Sequence, residues 1–283
     1  MTGWHDLLEC PHCGQKLTEK SGALACATGH SFDIARQGYV NLLPGGASAG
    51  TADTQEMVAA RSAFLASGHF RRIDEALADA VASAVDGHEG CVIDVGAGTG
   101  EHLAAVLDRL PHRVGLALDI SKHAARRASS AHPRIGAVVC DAWGRLPVRD
   151  GVAAAVICVF APRNAAEFAR VLAPGAAFVV VTPTTRHLRE LIEPLGMISV
   201  DPEKSERIGR SLGERFIKEK VVSVEHPTGL SVTDAVALVS MGPSARHTSS
   251  DQLHLSAEAL GPGIVATVSV EVAVWRLSSP AQN

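Results

Sequence analysis

Five apolar runs, each long enough for one buried strand, alternate with helical patterns along the middle of the chain. The runs span 91–95, 114–119, 135–140, 153–160 and 176–182, and helical patterns cover 101–110, 122–131 and 165–172. Strands that are apolar on both faces and alternate with helices are typical of a parallel sheet with helices on each side. The pattern therefore predicts a doubly wound α/β fold.

The segments that flank this region have different periods. One helical pattern covers 55–67, and a second one continues to about residue 85. Apolar residues recur every four positions in the second pattern. The stretch 263–277 alternates apolar residues with mostly small or polar ones, which predicts a long antiparallel strand, and a shorter strand is expected over 218–225. The fold class is thus a mostly parallel sheet with an antiparallel C-terminal strand.

The first apolar run ends in Asp94, and three glycines follow it at alternate positions, Gly96, Gly98 and Gly100. Glycines allow the backbone to approach a ligand closely, and a strand, a glycine turn and a helix start form the nucleotide site of many α/β sheets. A dinucleotide fingerprint would place its third glycine at Glu101, which disfavours a nicotinamide cofactor. A tight turn without a ligand is the plain alternative.

A second acid follows about 20 residues later, because the next apolar run ends in Asp119. A carboxylate at the end of the second strand can accept hydrogen bonds from both hydroxyls of a ribose. Together with Asp94 and the glycines, it resembles the S-adenosylmethionine site of class I methyltransferases. Asp141, after the third strand, is the candidate for the adenine amino group.

Near the N-terminus the chain carries the pattern C-x₂-C-x₁₂-C-x₃-H, formed by Cys10, Cys13, Cys26 and His30. Three thiolates and one imidazole complete a tetrahedral zinc site without an open position, so this zinc would be structural. A segment this short cannot bury its own core, so zinc binding would supply its folding energy. Reduced, unliganded thiols are the alternative, and His12 is a competing ligand.

Composition limits the possible partners. The 283 residues have a formal net charge of −4, so no overall basic field attracts nucleic acid. RNA contact must then depend on local basic clusters, of which the sequence offers 71–72, 126–127 and the mixed-charge run 204–220. The sequence shows neither a membrane-span pattern nor a signal-peptide pattern, so a cytoplasmic protein without membrane contact is expected.

Several short strings occur in a fixed order around the glycine turn, among them 38–44, 61–65, 68–70, 186–188 and 241–243. With the zinc pattern, they resemble the RlmA-type ribosomal RNA guanine-N1-methyltransferases of bacteria over nearly the whole chain. Members of that family modify a guanine in a hairpin loop of 23S rRNA that lines the peptide exit tunnel. One branch confers resistance to macrolides such as tylosin and mycinamicin.

The resemblance implies a structural zinc, an N-terminal module that helps to recognise RNA, and a homodimer. It also places Phe70 and His187 near the cofactor, with the glycine turn and its continuation into the helix. The full set of cofactor-binding residues predicted here is Phe70, Asp94, Gly96, Gly98, Thr99, Gly100, Glu101, His102, Leu103, Asp119, Asp141 and His187.

Two departures from the family pattern concern the substrate. The family usually has a tyrosine at the position of Phe70, so a hydroxyl contact is absent here. Where the family tends to have a threonine, an aromatic residue and a tryptophan after Met241, this chain has Gly242, Ser244 and Arg246. If those aromatic residues stack on RNA bases, substrate choice could differ in this chain.

The predicted domains are a zinc-binding RNA-recognition module over 1–43, a linker over 44–54 and an S-adenosylmethionine-dependent methyltransferase domain over 55–283. The loop after the fourth strand would line the acceptor pocket. Its Arg163 and Asn164 are the catalytic candidates, facing O6 and the base edge, and each has an ordinary loop or helix-cap role as the alternative. The sequence supplies no general base.

The sequence thus predicts methyl transfer from S-adenosylmethionine to N1 of a guanine in 23S rRNA, with macrolide resistance as the consequence. One alternative is a small-molecule methyltransferase of antibiotic biosynthesis, which would rarely need the zinc segment. Another is a nucleic-acid-binding protein that keeps the fold without activity, which the complete set of glycines and acids disfavours.

Overall fold

The architecture is that of a large mixed sheet with a small N-terminal sheet packed against one end. The computed structural model describes residues 3–45, 50, 52–201, 209–213, 215–246, 249–261 and 263–278. The small sheet consists of β1 (Thr18–Lys20), β2 (Ala23–Ala25) and β3 (Ser31–Asp33). The large sheet consists of β4 (Tyr39–Asn41), β5 (Cys91–Val95), β6 (Gly115–Asp119), β7 (Ile135–Val139), β8 (Ala153–Val159), β9 (Leu172–Pro183), β10 (Phe216–Leu230) and β11 (Ile264–Leu277).

The large sheet has the strand order β10-β11-β9-β8-β5-β6-β7-β4. From β9 to β4 all neighbours are parallel, whereas β11 pairs antiparallel with both β9 and β10. Chain order reverses between β5 and β8, since β6 lies on one side of β5 and β8 on the other. Ligands of such sheets bind beyond the carboxyl ends of the strands at this reversal. The predicted fold class is confirmed.

Helices cover both faces of the sheet. They are α1 (Gln55–Ala66), α2 (Arg71–Ala84), α3 (Glu101–Arg109), α4 (Lys122–Ala128), α5 (Ala165–Val171), α6 (Arg189–Ile192), α7 (Val232–Ser240) and α8 (Ser250–Ala259). Ser121 caps α4, because its side chain accepts a hydrogen bond from the backbone N–H of Ala124. Helix α6 has only four residues, too few for a hydrophobic period to predict it, and α7 begins at a capping box of Ser231 and Asp234.

Strand β10 is longer than the stretch 218–225 that the sequence predicts. It pairs with β11 from Phe216 opposite Leu277 to Leu230 opposite Ile264, around one bulge. Most of its residues are exposed or half-buried, since β10 is the outer strand of the sheet. Its length is therefore set by the ladder to β11 and not by its own hydrophobic pattern, which is why the pattern underestimates it.

The N-terminal segment is attached to the large sheet in three ways. Strand β4 pairs parallel with β7 and so extends the sheet by one strand. Leu8 bridges Val148, and the backbone N–H of Glu9 donates to the carbonyl of Pro147 at 3.1 Å. Trp4 covers Gly136 so closely that a β-carbon there would lie 2.2 Å from the indole. The predicted boundary at residue 43 stays a prediction.

Two core clusters lie on the two faces of the sheet. One combines α1, α2, α3 and α7 with one set of strand side chains. The other joins the opposite strand face to α5 and to Leu8, Leu17 and Leu24 of the N-terminal segment. Within the described ranges, no helix has the length and apolar character needed to cross a bilayer.

Candidate functional site

A cavity opens at the carboxyl ends of β5, β6, β7 and β8, where the chain order of the sheet reverses. Its wall contains Asp53, Arg61, Gly96, Gly98, Leu118, Asp119, Ile120, Cys140, Asp141, Ala142, Trp143, Val159, Phe160, Ala161 and Pro162. Four of the predicted cofactor residues are among them, namely Gly96, Gly98, Asp119 and Asp141. The cavity is thus built from loops that follow four separate strands.

The glycine turn passes close to two other parts of the chain. Gly96 has a φ of +74°, and a β-carbon there would lie 2.4 Å from the β-carbon of Ala161. Gly98 has a φ of +55°, and its β-carbon would lie 3.2 Å from Cδ of Arg61. Left-handed backbone and close approach both require glycine at these positions.

Asp119 holds the turn in place and also faces the cavity. Its Oδ2 accepts the backbone N–H of Gly98 at 2.8 Å, and its Oδ1 accepts that of Ser121 at 2.8 Å. Each carboxylate oxygen keeps a second lone pair for a hydroxyl of a ligand. Asp141 similarly accepts the backbone N–H of Trp143 through Oδ1, at 2.9 Å. The two acids therefore present fixed acceptors at adjacent strand ends.

Asp94 differs from these acids because its buried carboxylate has no hydrogen-bond partner within the described residues. Burial raises the pKa of Asp94 to about 7, an effect that nearby His102 partly offsets. A buried acid without a partner is costly, and a cationic ligand would relieve that cost. S-adenosylmethionine carries such charge on its sulfonium and its ammonium group.

The remaining predicted residues of the turn have structural contacts away from the cavity wall. A β-carbon at Gly100 would lie 3.0 Å from Ala128, so this glycine allows α3 and α4 to pack. Leu103 is fully buried, and Nδ1 of His102 bonds Asp74 of α2 at 2.5 Å. Two polar side-chain atoms here are buried without a described partner, namely Thr99 Oγ1 and Glu101 Oε2.

The rings of the predicted residues Phe70 and His187 pack together with a third ring, that of Phe160. The ring centroids of Phe160 and His187 lie 5.6 Å apart, those of Phe70 and His187 5.9 Å apart, and those of Phe70 and Phe160 6.3 Å apart. Phe160 also lines the cavity and has the strained φ of +53°. This ring cluster places Phe70 and His187 behind the wall that Phe160 forms.

His187 is neutral at physiological pH. Burial lowers the pKa of its imidazole to about 4, and the backbone N–H of Ser269 donates to Nδ1 at 3.1 Å. Since Nδ1 is the acceptor, the ring proton resides on Nε2. His187 therefore offers one hydrogen-bond donor beside Phe160.

The loop after β8 uses its two candidate residues differently. Asn164 caps α5 by accepting the backbone N–H of Glu167, and its Nδ2 lies within 3.2–3.3 Å of the carbonyls of Ala142, Trp143 and Gly144. This is the helix-cap role that the sequence left open. Arg163 is half-buried next to Pro162 of the cavity wall, and its buried Nε has no hydrogen-bond partner within the described residues.

Arg61, Asp53 and Trp143 line the cavity although the sequence did not single them out as site residues. Nη2 of Arg61 donates to Oδ2 of Asp53 at 2.7 Å and to the carbonyl of Met241 at 2.8 Å. Arg61 belongs to the string 61–65 that carries the family resemblance, which was the available signal. Asp53 lies in the predicted linker, where no pattern marked it.

The Cys10, Cys13, Cys26 and His30 side chains converge, with their ligand atoms all within 4.8 Å of one another. Tetrahedral zinc places two sulfurs about 3.8 Å apart, and a sulfur and a nitrogen about 3.6 Å apart. Cys13 and Cys26 sulfurs are 3.7 Å apart, and Nδ1 of His30 is 3.5 Å from the sulfurs of Cys10 and Cys26. These residues fit zinc, whereas His12 is exposed and stacks on Phe32.

Comparisons with known proteins agree with both sites. A family model described as RlmA, N-terminal matches residues 8–47, and a methyltransferase domain model matches residues 92–175. A 23S rRNA (guanine(748)-N(1))-methyltransferase of Streptomyces fradiae is 45% identical over 95% of this chain and 96% of its own length. The chain belongs to the 23S rRNA (guanine-N1)-methyltransferase family.

Two further members of the family are similar to this chain. One from Micromonospora griseorubida, named for the same guanine-N1 reaction on 23S rRNA, is 49% identical over 95% of this chain and 97% of its own. The other, YxjB of Bacillus subtilis, is 32% identical over 65% of this chain and 67% of its own. Membership makes the chain an S-adenosylmethionine-dependent methyltransferase with a zinc ribbon, and both groups fit the residues described above.

The unpartnered carboxylate of this methyltransferase gives a stability prediction. The folded-state pKa of Asp94 is raised to about 7 from 3.8, so the unfolded chain binds fewer protons between these values and stability falls as pH rises through this window. Asp94→Asn removes the effect. The free energy of unfolding of Asp94→Asn, relative to that of the wild type, should therefore increase by about 2 to 3 kcal/mol from pH 5 to pH 8.

Urea unfolding of the ligand-free protein at pH 5 and pH 8 measures this difference. A difference that does not change with pH would contradict the raised pKa. The same variant should bind S-adenosylmethionine more weakly than the wild type. The two measurements thus separate the effect of Asp94 on folding stability from its effect on cofactor binding.

Proposed function

We propose that this protein transfers a methyl group from S-adenosylmethionine to N1 of a guanine in a hairpin loop of 23S rRNA at the peptide exit tunnel. The observation that carries the proposal is the likeness over 95% of the chain to the Streptomyces fradiae enzyme, which is named for guanine 748. The cavity supports it, since its acids and glycines suit the donor. Macrolide resistance of the tylosin type is the proposed consequence.

The reaction needs the donor methyl group, the acceptor nitrogen and the leaving sulfur in line. Bound S-adenosylmethionine supplies an electrophilic methyl group on its sulfonium. The chain would hold that cofactor with Asp119 at the ribose, Asp141 at the adenine and Asp94 beside the positive charges. The ring cluster, through Phe160, would keep water from the reacting face.

The acceptor guanine carries a proton on N1, and its loss leaves negative charge on O6. Arg163 is the proposed partner of O6, because it directly follows Pro162 of the cavity wall and its Nε has no hydrogen-bond partner within the described residues. His187 remains the proposed donor beside the cofactor. Asn164 would act indirectly, by holding the loop 142–144 at the cavity rim.

We further propose that Arg61 binds the carboxylate of the cofactor's methionyl part. Arg61 lines the cavity opposite Gly98, and its Nε is buried without a described partner. Arg61→Met should weaken binding of S-adenosylhomocysteine by roughly 10- to 100-fold, the loss expected for a hydrogen bond to a charged group. Binding of 5′-methylthioadenosine, which lacks the carboxylate, should change little.

Isothermal titration with both nucleosides measures the difference. Equal losses for the two would contradict carboxylate recognition and indicate that Arg61 only supports the turn. Arg71→Met, on the exposed start of α2, is a control that also removes one arginine.

The function itself is tested by primer extension on 23S rRNA from cells with and without the gene. N1-methylguanine cannot pair normally, so reverse transcriptase should halt one nucleotide before it. A gene-dependent stop in the exit-tunnel hairpin loop, absent with an Asp119→Ala variant, is the expected result. If no stop is present while the purified protein binds S-adenosylmethionine, the small-molecule alternative replaces the rRNA proposal.

The assignments that depend on the family are proposed with the function. They are a cytoplasmic homodimer, an RNA-recognition role for the zinc module over 1–43, a linker over 44–54 and a methyltransferase domain over 55–283. Of the departures at Gly242, Ser244 and Arg246, Ser244 is buried and its hydroxyl accepts the backbone N–H of Ile198 at 3.2 Å. Part of the mixed-charge run 204–220 lies outside the described residues.

A further inference from the structure

Trp143 is a large aromatic side chain that the fold leaves exposed at the rim of the cofactor cavity. Its side chain borders the cavity, yet 68% of its surface is accessible. By contrast, Trp275 is 6% exposed and Trp4 is half-buried against Gly136. Exposed indoles are enriched where another molecule binds, because they bury much surface and lose little entropy.

The loop that carries Trp143 is fixed from both sides. Asp141 accepts the backbone N–H of Trp143 at 2.9 Å, and Nδ2 of Asn164 lies 3.2 Å from the carbonyl of Trp143. Beyond it, Nε of Arg145 donates to Oε1 of Glu9 at 2.7 Å. Glu9 directly precedes the zinc ligand Cys10, so the zinc ribbon braces this loop. Because the backbone of this loop is already held, it needs no further ordering when a partner stacks on the indole.

The surroundings favour a nucleic-acid partner. Arg145 and Arg149 are exposed in the same segment as Trp143, and Arg145 also forms ion pairs with Glu9 and Asp150. Aromatic side chains combined with cations are the usual means of holding unpaired nucleotides, since bases stack on the ring while cations contact the phosphates. A target guanine that enters the cavity must leave its stack, which places its neighbour in the hairpin loop at the cavity rim.

We propose that Trp143 is a stacking platform for an unpaired nucleobase of the RNA substrate, next to the guanine that enters the cavity. This inference rests on the proposed function and assigns to that function an RNA-contacting residue outside the cofactor contacts. The occupant is a base of the same hairpin loop. Because the zinc ribbon braces the loop of Trp143, it would contribute to RNA binding even if the ribbon itself did not contact the RNA.

The test measures RNA affinity and cofactor affinity separately. The probe is a transcript of the 23S rRNA hairpin that contains guanine 748, titrated in the presence of S-adenosylhomocysteine. Trp143→Ala should bind this RNA roughly 5- to 150-fold more weakly, the range for removal of one base–aromatic stack. Trp143→Phe should restore most of the affinity, and S-adenosylhomocysteine affinity should stay within about three-fold of the wild type.

Ile217→Ala is the matched control. Ile217 is 63% exposed and pairs with Arg276, whose other neighbour is Ala177 of β9. Ala177 in turn pairs with Ala155 in the amino-terminal half of β8, away from the carboxyl end of β8 at the cavity. Loss of an exposed apolar side chain there should leave RNA affinity unchanged. Equal losses for both variants would overturn a specific role for Trp143.

Tryptophan fluorescence gives an independent readout. Stacking of a base on Trp143 should quench the emission of the wild-type protein, and the quench should vanish in Trp143→Phe while affinity is retained. Unchanged RNA affinity in Trp143→Ala, or a loss confined to cofactor affinity, would overturn the inference and leave the proposed function standing. Failure of the wild-type protein to bind or methylate the hairpin would overturn both.

Discussion

Gly96→Ala is expected to weaken S-adenosylmethionine binding by roughly 5- to 150-fold, the range that corresponds to overpacking of about 1 to 3 kcal/mol. The new β-carbon would lie 2.4 Å from that of Ala161, a separation that real structures do not show. Either the glycine turn or the loop after β8 must then move, and both line the cavity. Isothermal titration of the purified variant measures the loss.

Gly151→Ala separates this clash from backbone strain. Gly151 has a φ of +67°, close to the +74° of Gly96, but a β-carbon there would have no neighbour within 4 Å. Both variants share the cost of left-handed backbone, and only Gly96→Ala adds overpacking of about 1 to 3 kcal/mol. The melting temperature of Gly96→Ala should therefore be about 2 to 10 °C lower than that of Gly151→Ala. Equal melting temperatures of the two variants, together with unchanged cofactor binding by Gly96→Ala, would contradict the prediction. They would show that the cavity wall accommodates the added methyl group without loss of stability.

Cys26→Ser is expected to release the zinc and unfold the N-terminal sheet. Structural zinc contributes on the order of 10 to 16 kcal/mol of apparent binding free energy, and a three-stranded sheet is too small to bury a sufficient core of its own. Zinc content should fall from one to below about 0.1 per chain. The loop that carries Trp143 then loses its brace at Glu9, so RNA affinity should fall together with zinc content.

Two substitutions serve as controls for the zinc prediction. Cys91→Ala should keep the zinc, because Cys91 is buried in β5, where burial raises the pKa of its thiol to about 12. His12→Ala should also keep it, since His12 is exposed and stacks on Phe32 outside the set of four converging ligands. Full zinc content in Cys26→Ser, or zinc loss in His12→Ala, would show that the ligand set was assigned incorrectly. Elemental analysis of the dialysed proteins decides the matter.

Local patterns were sufficient for the central sheet and for the zinc cluster. The apolar runs that became β5 to β8 are each buried on both faces, so their hydrophobicity alone identified them. The four zinc ligands occur at spacings that only a metal site explains well, and they converge as expected. Asp119 and Asp141 were likewise found at the ends of strands, where topology alone brings them to one edge.

Contacts between distant parts of the chain were beyond any local pattern. Arg61 bonds the carbonyl of Met241, which is 180 residues away, and Glu9 bonds Arg145, which is 136 residues away. The ring cluster joins Phe70, Phe160 and His187 from three separate segments. None of these pairs leaves a periodic trace in the sequence, because each depends on how complete elements pack.

By itself, the sequence determined the central strands β5 to β8, the glycine turn and the metal ligands, because the chemistry of each is contained within a few neighbouring residues. Only the tertiary structure decided that Arg61 lines the cavity, that Asp94 lacks a partner and that Trp143 stays exposed on a loop braced by the zinc ribbon. Burial and partnership are properties of packed surfaces, and those surfaces form only when segments far apart in the chain meet.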